Sequence, residues 1–103
     1  LAFKIKYSPA AEDHLRFLTA KQQGAVLDSV EKKLRHEPLR ETKNRKPMRP
    51  NPLASWELRI GNLRVYYRVQ LDPTALVEIL AVGIKDRNQI RIGGKEYDFH
   101  ETN

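Results

Sequence analysis

The chain of 103 residues contains no cysteine. That absence excludes disulfides, thiol nucleophiles and Cys-ligated zinc or iron–sulfur sites, and it fits a reducing, cytoplasmic setting. Long apolar runs are missing too. None approaches the roughly 20 residues of a membrane helix, and no signal-peptide core is evident. The few glycines form neither a G-x-x-x-x-G-K-[ST] nor a G-x-G-x-x-G pattern, and Gly93-Gly94 reads as a turn rather than a phosphate cradle. His14, His36 and His100 match no zinc spacing and form no readable triad with a serine and an aspartate. Asp13, Asp28, Asp72, Asp86 and Asp98 fall on expected helix surfaces, turns or the tail, so no paired-carboxylate metal site is expected. The expectation is a protein without cofactor or metal.

What is present is positive charge in one place. The formal net charge is +6. Arg40, Lys43, Arg45, Lys46, Arg49, Arg59, Arg64 and Arg68 face only Glu41 and Glu57 within residues 40–68, and the remaining residues balance to zero. A block of this kind attracts a polyanion, nucleic acid first and anionic membrane second; the plain alternative is a solvated surface.

The length suits one domain, expected over residues 1–103 with the stretch 88–103 unplaced. Phe3, Ile5 and Tyr7 alternate with Lys4 and Lys6, as in a half-buried strand. Ser8-Pro9 reads as an N-cap followed by proline at the first helical position. Ala11, Leu15 and Leu18 supply an apolar stripe. Thr19 and Gln22 form a capping box for a second helix, striped by Leu27, Val30 and Leu34 and ended by Pro38. The proline-rich stretch 40–55 reads as an extended loop. Two alternating strands flank Gly61-Asn62, a two-residue turn signal. The nearly continuous apolar run 75–82 reads as a central strand closed by Gly83. Ile90 and Ile92, then Gly93-Gly94, then Tyr97 and Phe99 suggest a hairpin or an edge strand. The order β-α-α-β-β-β predicts an α+β fold, with two N-terminal helices on one face of a small, mainly antiparallel sheet.

A two-residue turn at Gly61-Asn62 sets Ile60 opposite Leu63, Arg59 opposite Arg64, Leu58 opposite Val65 and Glu57 opposite Tyr66. The apolar pairs then share one face. The other carries Glu57, Arg59, Arg64, Tyr66 and Arg68. Two facing arginines repel, at a cost of about 0.2–1 kcal/mol for such a pair. A bound anion would reverse that sign, and the guanidinium fork matches phosphate. The competing reading is that Glu57 bridges the arginines on a solvated face. On the first reading Arg64 is solvent-accessible and Tyr66 offers a stacking surface, while Trp56 and Tyr67 belong to the core.

Three stretches carry a resemblance: "SWELRIGNLRVYYRV" (55–69), "VEILAVGIKDR" (77–87) and "KNRKPMR" (43–49). Over residues 2–87 the chain resembles the RelE/ParE superfamily of type II toxin–antitoxin toxins. The resemblance implies a toxin held by an acidic antitoxin. Its ribosome-dependent members cleave mRNA without a metal ion, and another branch poisons DNA gyrase. By resemblance, Arg64 matches the strand arginine that contacts the scissile phosphate, Arg59 a neighbouring basic position, and Lys85 and Arg87 the basic pair after the strand glycine. Glu57 stands where a relative has lysine, and Arg91 falls near a position that the relative fills with tyrosine. Tyr97 or His100 are the tail candidates for acid–base work.

The expected chemistry is attack of a ribose 2′-OH on the adjacent phosphate, with Arg59, Arg64, Lys85 and Arg87 stabilising the developing charge and Glu57 as base or as positioning group. Lys43, Arg45, Lys46, Arg49, Tyr66 and Arg68 are the expected RNA contacts, with ribosome and mRNA as partners beside the antitoxin. The alternative is a non-cleaving ParE-like toxin acting on gyrase, or an inactive relative that binds its antitoxin only.

Overall fold

The computed structural model describes residues 1–97. Strand β1 (Lys4–Tyr7) leads into helices α1 (Pro9–Leu15) and α2 (Ala20–Leu34). Six strands follow: β2 (Arg45–Pro47), β3 (Trp56–Ile60), β4 (Leu63–Gln70), β5 (Leu76–Asp86), β6 (Gln89–Ile92) and β7 (Lys95–Tyr97). The expected α+β architecture holds.

Both helix starts are built as their sequences demand. Ser8 Oγ accepts from the Ala11 amide at 3.0 Å, with Pro9 just inside. Thr19 and Gln22 satisfy each other's backbone amides at 3.1 and 2.9 Å, a complete capping box. The buried stripe of α2 is Val26, Val30 and Leu34. Leu27, expected in that stripe, is exposed, because the face that meets the sheet runs through the residue before it.

The sheet runs β2-β3-β4-β5-β6-β7, antiparallel throughout, and β1 joins β5 in parallel. Strand β5 is the hub. One edge pairs β4 along its length; the other is shared by β1 over Leu76–Ile79 and β6 over Gly83–Asp86. A register shift between Tyr66 and Tyr67 leaves Leu80 without a partner in β4. This bulge changes the phase of β5. Val77 and Ile79 reach the helix side before it, and Val82 and Ile84 reach the same side after it.

The strand does not end at Gly83 as expected but continues to Asp86. Gly83 sits where β6 comes close: a Cβ there would lie 2.6 Å from the Arg91 carbonyl oxygen and 2.8 Å from Ile92 Cγ1. The stretch 40–55 is likewise not wholly loop, since β2 pairs β3 through Arg45–Leu58 and Lys46–Glu57. After β5 the chain forms the hairpin β6–β7 around Gly93-Gly94, both with φ near the left-handed region. Phe99, expected in that hairpin, lies outside the described residues.

The main core lies between helices and sheet: Phe3, Ala11, Val26, Val30 and Leu34 against Leu58, Val65, Tyr67, Val77 and Ile79. Trp56 stacks on Tyr67 at 6.1 Å between ring centroids, and the Tyr67 hydroxyl donates to the Pro38 carbonyl at 2.7 Å, so both aromatics are core residues as expected. A second, smaller core occupies the opposite face. Tyr66, Ala81 and Ile92 are buried there beneath Met48, Leu53 and Ala54 of the loop between β2 and β3, with Ile90 alongside.

Candidate functional site

The hairpin register around Gly61-Asn62 is the expected one, with Glu57 opposite Tyr66 and Arg59 opposite Arg64. These four residues share the face away from the helices, because their neighbours Leu58, Val65 and Tyr67 fill the main core. The arginine pair therefore exists across the hairpin.

Its surroundings differ from the expectation. Arg64 is buried, at 7% exposure. Its Nη1 donates to the carbonyls of Gly61 at 2.8 Å and Leu63 at 2.9 Å, and its Nε lies 4.0 Å from Glu57 Oε2. Burial lowers the pKa of its guanidinium, and the Glu57 carboxylate opposes that shift. Arg59 is half-buried and donates Nε to Glu57 Oε1 at 2.8 Å. Glu57 thus sits between the two cations and offsets their repulsion within the protein. The bridging reading accounts for the pair without a bound anion.

Tyr66 is fully buried. Burial first, and the neighbouring Glu57 carboxylate second, push its hydroxyl far above the ordinary tyrosine value. It is no stacking platform, because the loop between β2 and β3 covers its ring. That cover is organised by Asn51. Its Oδ1 accepts from the Leu53 and Ala54 amides at 2.8 and 3.1 Å, and its Nδ2 donates to the Arg49 and Ala54 carbonyls at 2.7 and 3.1 Å. The Asn51-Pro52 pair is a turn signal that points to this role. The small residues and apolar Met48 and Leu53 amid so many cations hint at a packed loop rather than a solvated one.

Arg45, grouped with the RNA contacts on sequence, is 8% exposed. Its guanidinium caps α2, with Nη1 donating to the Lys33 carbonyl. Arg68 is exposed but held by Glu78, at 2.8 Å from Nε and 2.7 Å from Nη2. Lys43, Lys46 and Arg49 are exposed, as are Lys85, Arg87 and Tyr97. Arg87 has φ 60 in the two-residue turn between β5 and β6, a left-handed conformation that arginine seldom adopts. His100 lies outside the described residues. Of the expected catalytic set, Glu57, Arg59 and Arg64 are brought together. Lys85 lies two residues beyond Gly83, the partner of Arg64, with its amide donating to the Asn62 carbonyl at 2.7 Å, and Arg87 sits further on in the turn between β5 and β6.

Among the described residues no group of three or more His, Cys, Asp and Glu is placed to hold a metal ion, and no helix is long and apolar enough to cross a membrane.

A helical pair packed on one face of this seven-stranded sheet is the fold of a toxin of the RelE/ParE superfamily. Residues 5–89 match the family model described as the ParE toxin of the type II toxin–antitoxin system parDE, and the chain belongs to that family. The fold is similar to a chain in the crystal structure of the toxin–antitoxin complex RelBE2 from Mycobacterium tuberculosis. The TM-score is 0.70 and the identity 26%, over 82% of this chain and 100% of that one. No curated protein matches the sequence significantly.

Proposed function

We propose that this toxin is the partner of an acidic antitoxin and arrests growth by binding a protein target, without cleaving RNA. DNA gyrase is the target that the ParE side of the superfamily implies. The observation that supports this reading is the enclosure of Arg64. A phosphate-stabilising arginine needs free donors aimed at the place where charge develops. Here Nη1 is taken by two backbone carbonyls and Nε faces Glu57. Tyr66 is covered as well, so its ring offers no surface on which a base could stack. A supercoiling assay with purified gyrase tests the reading: added toxin should inhibit supercoiling, and primer extension on a translated reporter mRNA should show no new ends. Site-specific mRNA ends together with unaffected gyrase would overturn it.

A second reading, metal-independent cleavage of mRNA on the ribosome, draws support from the exposed cations Lys43, Lys46, Arg49, Lys85 and Arg87. These fit contact with an RNA backbone. It requires the Glu57–Arg64 contact to open on binding, and it predicts the primer-extension result that the first reading forbids.

A further inference from the structure

A cavity of about 350 Å³ lies on the helix side of the β2 edge, apart from the Glu57 site. Its wall is the last turn of α2, with Lys32, Lys33, His36 and Glu37. The tight turn at 42–45 closes it, pinned by paired backbone bonds between Thr42 and Arg45 at 2.8 and 3.3 Å. Leu58 of β3 also lines it.

The charge of this cavity is unbalanced. Lys32 pairs with Asp28 at 3.2 Å, and Glu37 pairs with Arg40 at 3.2 Å. Lys33, Lys43 and Arg45 have no acidic partner among the described residues. Arg45 is more than nine-tenths buried, and its Nε has no hydrogen-bond partner. A buried guanidinium N–H left unmade is costly, so Arg45, a lining residue of the cavity, carries unmet donor capacity beneath its surface. The α2 C-terminus contributes roughly half a negative charge. Arg45 offsets it by capping the Lys33 carbonyl, and two lysines remain in excess.

We propose that this cavity receives an acidic side chain of the antitoxin, a Glu or Asp from a segment laid across the end of α2. The inference rests on the antitoxin half of the reading above and not on the toxin's target. A projecting carboxylate suits the shape better than nucleic acid does. A phosphodiester is tied to its chain on both sides and does not enter a recess end-on, whereas a glutamate side chain does. No aromatic lines the cavity to stack a base. Arg and Lys clusters are the recurring receptors for acidic peptide motifs.

The test uses the full chain and three fluorescent probes: a Glu-rich peptide, its Gln-for-Glu counterpart and an oligodeoxythymidylate of matched charge. The Glu peptide should bind and the Gln peptide should not. The double variant Lys33→Glu/Lys43→Glu should weaken Glu-peptide binding by about 10-fold or more, the scale of losing close charge partners at an interface. The charge-matched control Lys4→Glu/Lys6→Glu, exposed on β1 and outside the cavity, should change it by less than about 3-fold, as expected of a remote exposed charge. Equal loss in both double variants would overturn the proposal in favour of a diffuse field. Absence of Glu-peptide binding would overturn it too. Oligonucleotide binding that depends on Lys33 and Lys43, when peptide binding does not, would give the cavity to nucleic acid instead. Because no gyrase or ribosome is present, failure here leaves the target assignment to the supercoiling assay.

Discussion

Arg64 shows how one side chain changes meaning with its surroundings. Facing Arg59 across a hairpin, it reads as half of an anion clamp. Inside the protein it is a buried cation with three acceptors close by, two carbonyls and a carboxylate. Arg64→Ala should therefore destabilise the protein rather than relieve repulsion. The turn carbonyls lose their donor and the Glu57 carboxylate keeps only Arg59. The expected loss is about 1–3 kcal/mol, the cost of stranding buried polar groups. Guanidinium unfolding of wild type, Arg64→Ala and Arg64→Lys measures it, with the lysine variant intermediate because it keeps the charge and loses the fork. Unchanged midpoints would mean that these bonds add nothing. Arg45 carries the same lesson: its neighbours in sequence are exposed cations, yet its guanidinium closes a helix.

At the scale of elements, two short pieces decide what the sheet face presents. The loop between β2 and β3 lies over Tyr66 because Asn51 ties its backbone at four places. Asn51→Ala should free two amides and two carbonyls and loosen the cover. Hydrogen exchange should speed up at the Leu53 and Ala54 amides while the α2 core stays protected. Slow exchange in the variant would show that Met48 and Leu53 hold the loop without Asn51. Strand β6 depends on Gly83 for its close approach. Gly83→Ala should push β6 outward and cost about 1–3 kcal/mol, as overpacking does. Amide shifts confined to β5, β6 and β7 would locate the damage; a wild-type spectrum would mean that the strands absorb the methyl. The turn residues and helix caps were legible in the sequence, since their chemistry is local. Strand β2 and the extension of β5 were not. Three residues with a proline carry little periodicity, and a mid-strand glycine looks like an end until the neighbouring strand is in place.

Across the whole molecule, burial sets the pH range of stability. Burial lowers the pKa of His14, with Asp13 opposing, and its Nδ1 accepts from the Val82 amide at 3.3 Å, which needs the neutral ring. A depressed pKa contributes stability that is present above the unfolded value of 6.5 and is lost as pH falls below it. Glu31, lowered chiefly by its bond with Arg35, acts in the same direction further into acid. At the other end, burial and then Glu31 raise the Tyr7 hydroxyl to about 12 from 10.0. Tyr66 and Tyr67 are raised by burial as well. A raised pKa contributes stability that is complete below the unfolded value and lost as pH climbs through the folded one. Thermal melts across pH should therefore show a plateau between about 6.5 and 10, with declines on both sides. His14→Gln should flatten the first part of the acid decline; an unchanged curve would assign that decline elsewhere.

Much of this protein follows from the order of its residues. Caps at Ser8 and Thr19, turns at Gly61-Asn62 and Gly93-Gly94, and alternation along β3 and β4 are local or two-residue signals. They carry the element order, the hairpin register, the residues on each face and the kinship with RelE/ParE toxins. Only the tertiary structure decided whether the polar face is open. That depends on where a proline-rich loop lies after the sheet has formed, and on which acceptors a long arginine side chain meets within its reach. Such contacts join residues far apart in the chain, as Arg45 joins the end of α2, and no spacing along the sequence encodes them. The same assembly closes the cationic cavity, whose walls come from α2, the turn at 42–45 and β3.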